Sequence, residues 1–168
     1  ADIAAPTLNI DPQEIKKKIT SMTKAIIPVD MAGQPCQMRE IMSIAKRYNF
    51  KVIEDAAHSL GAKIGKKVIG NFAHLTTFSF HAVKNMTTAE GGMVVTDEEI
   101  LYNKIKRGRY FGIDRSSQER HGGGASWFYD KVDLGRKANM SDILATLGLS
   151  QLKRFDKFQT RRQELVSL

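Results

Sequence analysis

Residues 24–55 read KAIIPVDMAGQPCQMREIMSIAKRYNFKVIED. The run at 24–29 is continuously apolar, which is typical of a buried strand, and 50–55 is predicted to be the next strand. From Pro35 to Tyr48 apolar residues recur every three or four positions and predict one face of an amphipathic helix. A strand, a helix and a second strand within this span require a right-handed crossover and parallel pairing. The sequence therefore predicts an α/β fold with a mostly parallel sheet flanked by helices.

The alternation of strands and helices continues along the chain. Residues 75–80 (LTTFSF) and 91–96 (GGMVVT) predict two further strands. A helix is predicted to follow the second of these, because Thr96 and Glu99 fit a capping box. After Gly108 the pattern gives way to a long loop, and loops of this length are usually functional or mobile.

Capping residues mark two other helix starts. Asp11, with Pro12 at the first helical position and Glu14 at the third, predicts a short helix. Ser141 is the predicted N-cap of a helix over 142–158, and a further helical segment follows it. Because the chain starts near a helix cap and stops within an apolar-periodic segment, we expect it to be part of a larger domain.

The composition is that of one globular domain, with 168 residues of which 42% are hydrophobic and 26% are charged. No apolar run approaches the roughly 18 residues needed to span a bilayer, and the first residues lack a signal-peptide pattern. Cys36 is the single cysteine and cannot form an internal disulfide, which agrees with a reducing compartment. These features predict a cytoplasmic protein with no membrane partner.

Charge and histidine spacing narrow the kinds of site that the chain can hold. The net charge of +8 is concentrated in residues 104–168, with 14 Lys/Arg against 7 Asp/Glu, whereas residues 1–103 have 12 against 11. Such a surface could attract nucleic acid, an anionic membrane or a phosphorylated ligand, or simply be a solvated face. His74, His81 and His121 lack the spacing of metal ligands, so no metal site is predicted.

Ionisable residues follow two of the predicted strands. Glu54 and Asp55 end one strand, with His58 one turn later, and His81 and Lys84 come after the next. Ligands of open α/β sheets bind outside the carboxyl ends of the strands. Asp55 and Lys84 could form a buried ion pair at that edge. They could also bracket pyridoxal phosphate (PLP), since a lysine amine forms a Schiff base with PLP and a carboxylate keeps its ring nitrogen protonated.

Three stretches of the chain form a specific pattern: KAIIPVDMAGQPCQMREIMSIAKRYNFKVIEDAAHSLGA (24–62), FSFHAVKNMTTAEGGMVVT (78–96) and NMSDILATLGLSQLKRFD (139–156). In order and spacing they resemble the DegT/DnrJ/EryC1/StrS sugar aminotransferases. Within that family the chain is most similar to enzymes of the UDP-4-amino-4-deoxy-L-arabinose and perosamine types. The resemblance implies the central part of a PLP fold type I large domain.

The resemblance assigns a role to five residues. Lys84, Asp55 and His58 would be catalytic: Lys84 would bond to PLP and shuttle the proton, Asp55 would bind the pyridine nitrogen, and His58 would lie near the ring hydroxyl. Ala57 would pack on the ring face, and Ser79 would donate to the phosphate. Family members that dehydrate instead of transaminating carry His at the lysine position, so Lys84 favours transamination.

A second part of the cofactor site would come from a neighbouring subunit. The family's interfacial segment resembles G-Y-N-Y-R or G-Y-K-Y-N, and this chain has GRKAN instead. Lys137 and Asn139 keep residue types that approach the neighbouring subunit's phosphate, whereas Arg136 and Ala138 replace two aromatic residues. Asp30 is another departure, because the family mostly has His there.

The resemblance also implies what surrounds this chain. Family members are more than twice as long, so residues 1–168 would be a single, incomplete large domain without the N-terminal phosphate-binding segment and the C-terminal small domain. The whole enzyme would be a homodimer that transfers the amino group of glutamate to the keto sugar of a nucleotide sugar. Nucleic acid is not an expected partner.

A function of a different class stays open as an alternative. The chain could be a catalytically silent α/β binding domain whose basic last third binds phosphates, nucleic acid or a partner protein. The altered GRKAN segment favours this hypothesis. Against it stands the joint presence of four residues that suit the cofactor: Asp55, His58, Ser79 and Lys84.

Overall fold

The computed structural model describes residues 1–114 and 129–168. The chain forms two compact units, one made of Ala1–Thr96 with Ser141–Leu168 and the other of Asp97–Met140. Part of the predicted long loop lies outside the described residues.

The first unit contains the sheets and four of the helices named here, and the second contains α3. The helices are α1 (Pro12–Lys18), α2 (Met38–Tyr48), α3 (Glu99–Gly108), α4 (Asp142–Leu152) and α5 (Phe155–Val166). The strands are β1 (Ala25–Ile26), β2 (Lys51–Asp55), β3 (Lys63–Ile64), β4 (Lys67–Val68), β5 (Leu75–Ser79) and β6 (Gly92–Val95). In the described ranges, every helix is too short or too polar to cross a lipid bilayer.

The main sheet of the described residues has the strand order β1-β2-β5-β6. β1 pairs with β2 and β2 with β5 in parallel, while β6 runs antiparallel to β5. β3 and β4 form a separate antiparallel ribbon. The predicted α/β fold with a mostly parallel sheet is confirmed.

The predicted strand at 24–29 has regular ladder pairing only over Ala25–Ile26. Pro28 has no N–H to donate to the ladder, although its carbonyl accepts the N–H of Asp55 at 2.8 Å. Val29 then forms one isolated parallel bridge with Asp55. The chain therefore stays beside β2 while the regular pairing ends early.

One face of α2 packs on the sheet and builds the core. Met38, Ile41 and Ala45 are fully buried, at the spacing that the apolar periodicity predicts. They cluster with Ile26 of β1 and Val52 of β2. This packing fixes β2, whose last residue is the candidate site residue Asp55.

Two predicted helix caps are confirmed. Asp11 Oδ1 accepts the N–H of Gln13 at 2.7 Å at the start of α1. Ser141 Oγ accepts the N–H of Leu144 at 3.4 Å at the start of α4. In both cases a side-chain oxygen satisfies a backbone donor that the helix itself leaves unpaired.

The predicted cap at Thr96 is wrong. Its hydroxyl donates to the carbonyl of His74 at 2.6 Å, which ties it to the sheet. α3 begins at Glu99 instead, after Glu98, which makes no side-chain capping bond.

The single helix predicted over 142–158 is also wrong, because the chain turns between α4 and α5. Arg154 at the turn has φ −111° and ψ 2°, outside the helical range. The turn brings the Phe155 ring against Gly61, where a Cβ on that glycine would lie 2.7 Å from the ring. Tertiary packing therefore overrides the local helical periodicity.

Candidate active site

The carboxyl ends of β2 and β5 meet at one edge of the sheet. Asp55 is the last residue of β2 and Ser79 the last of β5, and the parallel register pairs Asp55 with Thr77. Side chains alternate between the two faces of a strand. Asp55, Thr77 and Ser79 therefore share one face of the sheet.

The Asp55 carboxylate is held in a defined direction by the residues around it. The backbone N–H of Asp55 donates to Pro28 O at 2.8 Å, and the backbone carbonyl of Asp55 accepts the N–H of Asp30 at 3.0 Å. Its Oδ1 accepts the N–H of Ala57 at 3.0 Å. An ionised carboxylate has about four acceptor positions, so Asp55 keeps capacity for a further donor. Ala57, whose N–H donates to Asp55 Oδ1, is half-buried and has only a methyl side chain.

Lys84 lies in a loop that its own backbone closes. The N–H of Phe80 donates to Gly91 O at 2.8 Å, and the N–H of Thr88 donates back to Phe80 O at 2.9 Å. Within the loop, the N–H of Lys84 donates to His81 O at 3.0 Å and forms a tight turn. The half-buried Lys84 side chain thus starts from a braced backbone.

Ser79 and His58 flank these groups. Ser79 Oγ accepts the N–H of His81 at 3.3 Å, and the hydroxyl keeps its own proton for donation. The His58 side chain is exposed, and its carbonyl accepts the side-chain amide of Asn85 at 3.3 Å. A groove of about 590 Å³ is lined by His58 and Asn85 but not by the described residues Asp55, Ser79 or Lys84.

Glu54, which the sequence places at the same strand end, points to the opposite and buried face. Its Oε2 accepts the hydroxyl of Thr76 at 2.9 Å. Burial raises the pKa of Glu54 from its ordinary value of 4.5 to about 7; the hydrogen bond from Thr76 opposes the rise and the charge of Asp30 adds to it. Glu54 therefore belongs to the interior and not to the candidate site.

Asp30 has a role that the sequence did not reveal. It is fully buried, and its two oxygens accept the N–H of Cys36 at 2.9 Å and the hydroxyl of Ser59 at 2.6 Å. The carboxylate thereby ties the turn after β1 to the residue that follows His58. The only sequence signal is an Asp before a turn that contains Gly33, and that signal does not identify the distant partner Ser59.

Lys137 and Asn139 belong to the second unit. Both side chains are exposed. Lys137 forms an isolated antiparallel bridge with Tyr110, and the N–H of Ala138 donates to Arg109 O at 2.8 Å. The backbone of the GRKAN segment is therefore fixed within its own unit while the two predicted side chains stay accessible.

The histidines outside the candidate site have ordinary partners where the structure describes them. His74 Nδ1 accepts the N–H of Val52 at 2.9 Å, and His81 Nε2 lies 3.6 Å from Glu90 Oε1. His121 lies outside the described residues. Among those described, His, Cys, Asp and Glu side chains form no group that could hold a metal ion.

The chain is similar to known proteins over its whole length. The sequence profile of the DegT/DnrJ/EryC1/StrS aminotransferase family matches residues 1–168. The uncharacterized protein MJ1066 of Methanocaldococcus jannaschii is 48% identical over 167 residues, which is 99% of this chain and 43% of the relative. The spore coat polysaccharide biosynthesis protein SpsC of Bacillus subtilis is 42% identical over 166 residues, again 99% of this chain and 43% of the relative.

A solved structure supports the same relationship. Spr1654 of Streptococcus pneumoniae, named as a sugar aminotransferase and solved in its PLP-form, superposes with a TM-score of 0.86. The identity is 34%, and the match covers 99% of this chain and 45% of that one. This likeness confirms the predicted PLP fold type I architecture. The chain thus spans less than half the length of its relatives, and it belongs to the DegT/DnrJ/EryC1/StrS aminotransferase family.

Proposed function

We propose that this chain is the lysine-bearing core of a PLP-dependent aminotransferase that acts on a nucleotide sugar. Family membership and the PLP-form of Spr1654 indicate PLP as the cofactor. One observation carries the proposal. Asp55 ends β2 and the Lys84 loop follows the adjacent parallel strand β5, so both lie at the carboxyl ends of neighbouring strands.

The groups at this edge fit the cofactor chemically. PLP, when bound, supplies an aldehyde that reacts with amines and a ring that withdraws electrons from the reacting carbon. The Asp55 carboxylate would accept a hydrogen bond from the ring nitrogen and keep it protonated. Lys84 Nζ would hold the proton that leaves the substrate carbon and return it. The hydroxyl of Ser79 would donate to a phosphate oxygen.

The remaining predicted residues complete this arrangement. As the family resemblance implies, Ala57 would lie against the ring face with its methyl side chain. His58 would lie near the ring hydroxyl. Lys137 and Asn139 would reach the phosphate of a neighbouring subunit, which makes the proposed enzyme a homodimer.

The proposed reaction moves the amino group of glutamate to the keto sugar of a nucleotide sugar. The names of two relatives support a sugar substrate, since SpsC is a polysaccharide biosynthesis protein and Spr1654 is named as a sugar aminotransferase. In this proposal residues 1–168 form one incomplete large domain of a cytoplasmic enzyme with no membrane or nucleic-acid partner.

The proposal is tested by titrating the purified chain with PLP and following the absorption band of a protein-bound cofactor. We expect the wild-type chain and a Lys46→Ala control to develop the band, and Lys84→Ala to lack it. Lys46 is an exposed lysine on α2, so the control removes a charge without touching the site.

Measuring binding at several ionic strengths distinguishes a PLP-dependent enzyme from a catalytically silent basic domain. A covalently held cofactor depends mainly on pH, whereas binding to a polyanion weakens steeply with salt. If Lys84→Ala still developed the band, or if the only measurable ligand were a salt-sensitive polyanion, the proposed function would be wrong.

A further inference from the structure

We propose that Asn85 is a positioning residue that holds the Lys84 loop against the segment that carries Ala57 and His58. This inference rests on the proposed function, because it concerns how the amine of Lys84 is presented to the cofactor.

The Asn85 side chain connects two distant parts of the chain. Its Nδ2 donates to the carbonyl of His58 at 3.3 Å and to the carbonyl of Leu60 at 3.4 Å. The two acceptors precede Asn85 by 27 and 25 residues. The side-chain amide of Asn85 therefore uses its two N–H donors on two carbonyls of the facing segment, residues 57–62.

The facing segment is itself fixed from the other side. Ser59, between the two acceptors, donates to the buried carboxylate of Asp30 at 2.6 Å. Gly33 approaches the same segment so closely that a Cβ there would lie 2.9 Å from His58 O. Asn85 thus binds to a segment that is itself hydrogen-bonded to Asp30 and packed against Gly33.

The backbone of Asn85 is braced as well. Its carbonyl accepts the Nη2 of Arg162 on α5 at 3.2 Å. Arg162 is in turn held by Gln159, whose Oε1 accepts the Nη1 at 2.5 Å. Since neighbouring Cα atoms are about 3.8 Å apart, fixing both the side chain and the carbonyl of Asn85 fixes the point from which the Lys84 side chain starts.

The hydrogen bonds of Asn85 hold the Lys84 loop but are not part of the hydrophobic core that stabilises the fold. Asn85 is half-buried at the edge of the unit, whereas the core is formed by α2 and the strands. Loss of the amide donors should therefore free the Lys84 loop without unfolding the sheet. The reaction of the amine should slow, because an unheld amine spends less time in the reactive geometry.

The test uses Asn85→Ala and Asn85→Asp, with Asn71→Ala as the matched control. Asp keeps the size of Asn but has no side-chain N–H to donate. Asn71 also donates its Nδ2 to a backbone carbonyl, that of Val68 at 3.2 Å, on an exposed part of the ribbon. The measurements are the rate of PLP trapping at Lys84 by cyanoborohydride, thermal unfolding, and amide hydrogen exchange of the cofactor-free chain.

Both Asn85 variants should trap PLP at Lys84 about tenfold more slowly than the wild type, which corresponds to about 1.4 kcal/mol. In both Asn85 variants the amides of residues 57–62 and 81–86 should exchange faster than in the wild type. The amides of β2 and α2 should exchange as they do in the Asn71→Ala control, and the unfolding temperature should also equal that of the control. A purely structural role would lower the unfolding temperature and speed exchange in the core as well.

The outcomes also separate this inference from the proposed function. If the wild-type chain traps no PLP at Lys84, the proposed function fails, and the exchange data on the cofactor-free chain still decide whether Asn85 holds the two segments together. Unchanged exchange at 57–62 and 81–86 in both Asn85 variants would overturn the inference, as would wild-type trapping rates.

Discussion

Glu54 and Asp55 are neighbours in the chain, but β2 directs their carboxylates to opposite faces of the sheet. Glu54 is fully buried, and its Oε1 has no hydrogen-bond partner among the described residues. Its pKa rises from 4.5 to about 7 chiefly because burial disfavours the charged form. Between these two values Glu54 of the folded chain keeps a proton that the unfolded chain has released, so the contribution of Glu54 to stability falls as pH rises.

Glu54→Gln tests this linkage at the scale of one residue. For one proton the slope reaches about 1.4 kcal/mol per pH unit. We expect the free energy of unfolding of the wild type to fall relative to Glu54→Gln as pH rises from about 4.5 to about 7, and the variant to be the more stable above that range. Denaturant unfolding of both proteins across the range measures the difference. A difference that does not change with pH would contradict a buried, protonated Glu54.

The residues of the candidate site differ in how well the sequence predicts them. Asp55 is the last residue of β2, where the local strand pattern predicts it, and Lys84 lies in the loop that follows β5; their roles at a cofactor stay predictions. Asp30 and Asn85 act through Ser59 and His58, which lie 29 and 27 residues away. Such partners are created by tertiary packing, which no local periodicity encodes.

At the scale of elements, α4 packs closely against the lysine loop at Gly148. Gly148 on α4 is buried, and a Cβ at this position would lie 2.8 Å from Cγ2 of Thr88. Thr88 cannot turn away freely, because its hydroxyl donates to the carbonyl of Glu90 at 2.9 Å. The glycine inside this helix is therefore a packing requirement, although glycine weakens helices by about 1 kcal/mol.

Gly148→Ala should destabilise the chain in spite of the better helix propensity of alanine, since overpacking a tight contact typically costs about 1–3 kcal/mol. Adding Thr88→Ser removes Cγ2, keeps the hydroxyl and should restore most of the loss. Denaturant unfolding of the two single variants and the double variant measures the coupling. Equal destabilisation by Gly148→Ala with Thr or Ser at position 88 would show that the contact is not responsible.

The boundaries of elements were less predictable than their existence. Pro28 shortens the pairing of β1, Thr96 bonds to the sheet instead of capping α3, and the turn at Arg154 divides a continuous helical pattern. At Pro28 the missing N–H ends the regular pairing, whereas at Thr96 and at Arg154 a hydrogen bond or a packing contact from elsewhere in the chain decides the boundary. The parallel unit of β1, α2 and β2, by contrast, follows from apolar periodicity, whereas the ribbon of β3 and β4 had no such signal.

At the scale of the whole molecule, this chain covers 43% of the length of MJ1066 and 43% of the length of SpsC. Its parallel strands already bring a carboxylate, a hydroxyl and a lysine loop to one edge, and buried contacts at Asp30 and Gly148 hold the surrounding segments. The proposed cofactor site is therefore organised by residues of this chain.

The most direct test is to mix the chain with PLP, reduce the adduct with borohydride and locate the modified residue by peptide mass spectrometry. We expect a pyridoxyl group on Lys84 and on no other lysine, because Lys84 starts from a loop closed by backbone hydrogen bonds after the strand next to β2. Labelling spread over the exposed lysines, or none at all, would contradict the claim that these residues form a preorganised cofactor site.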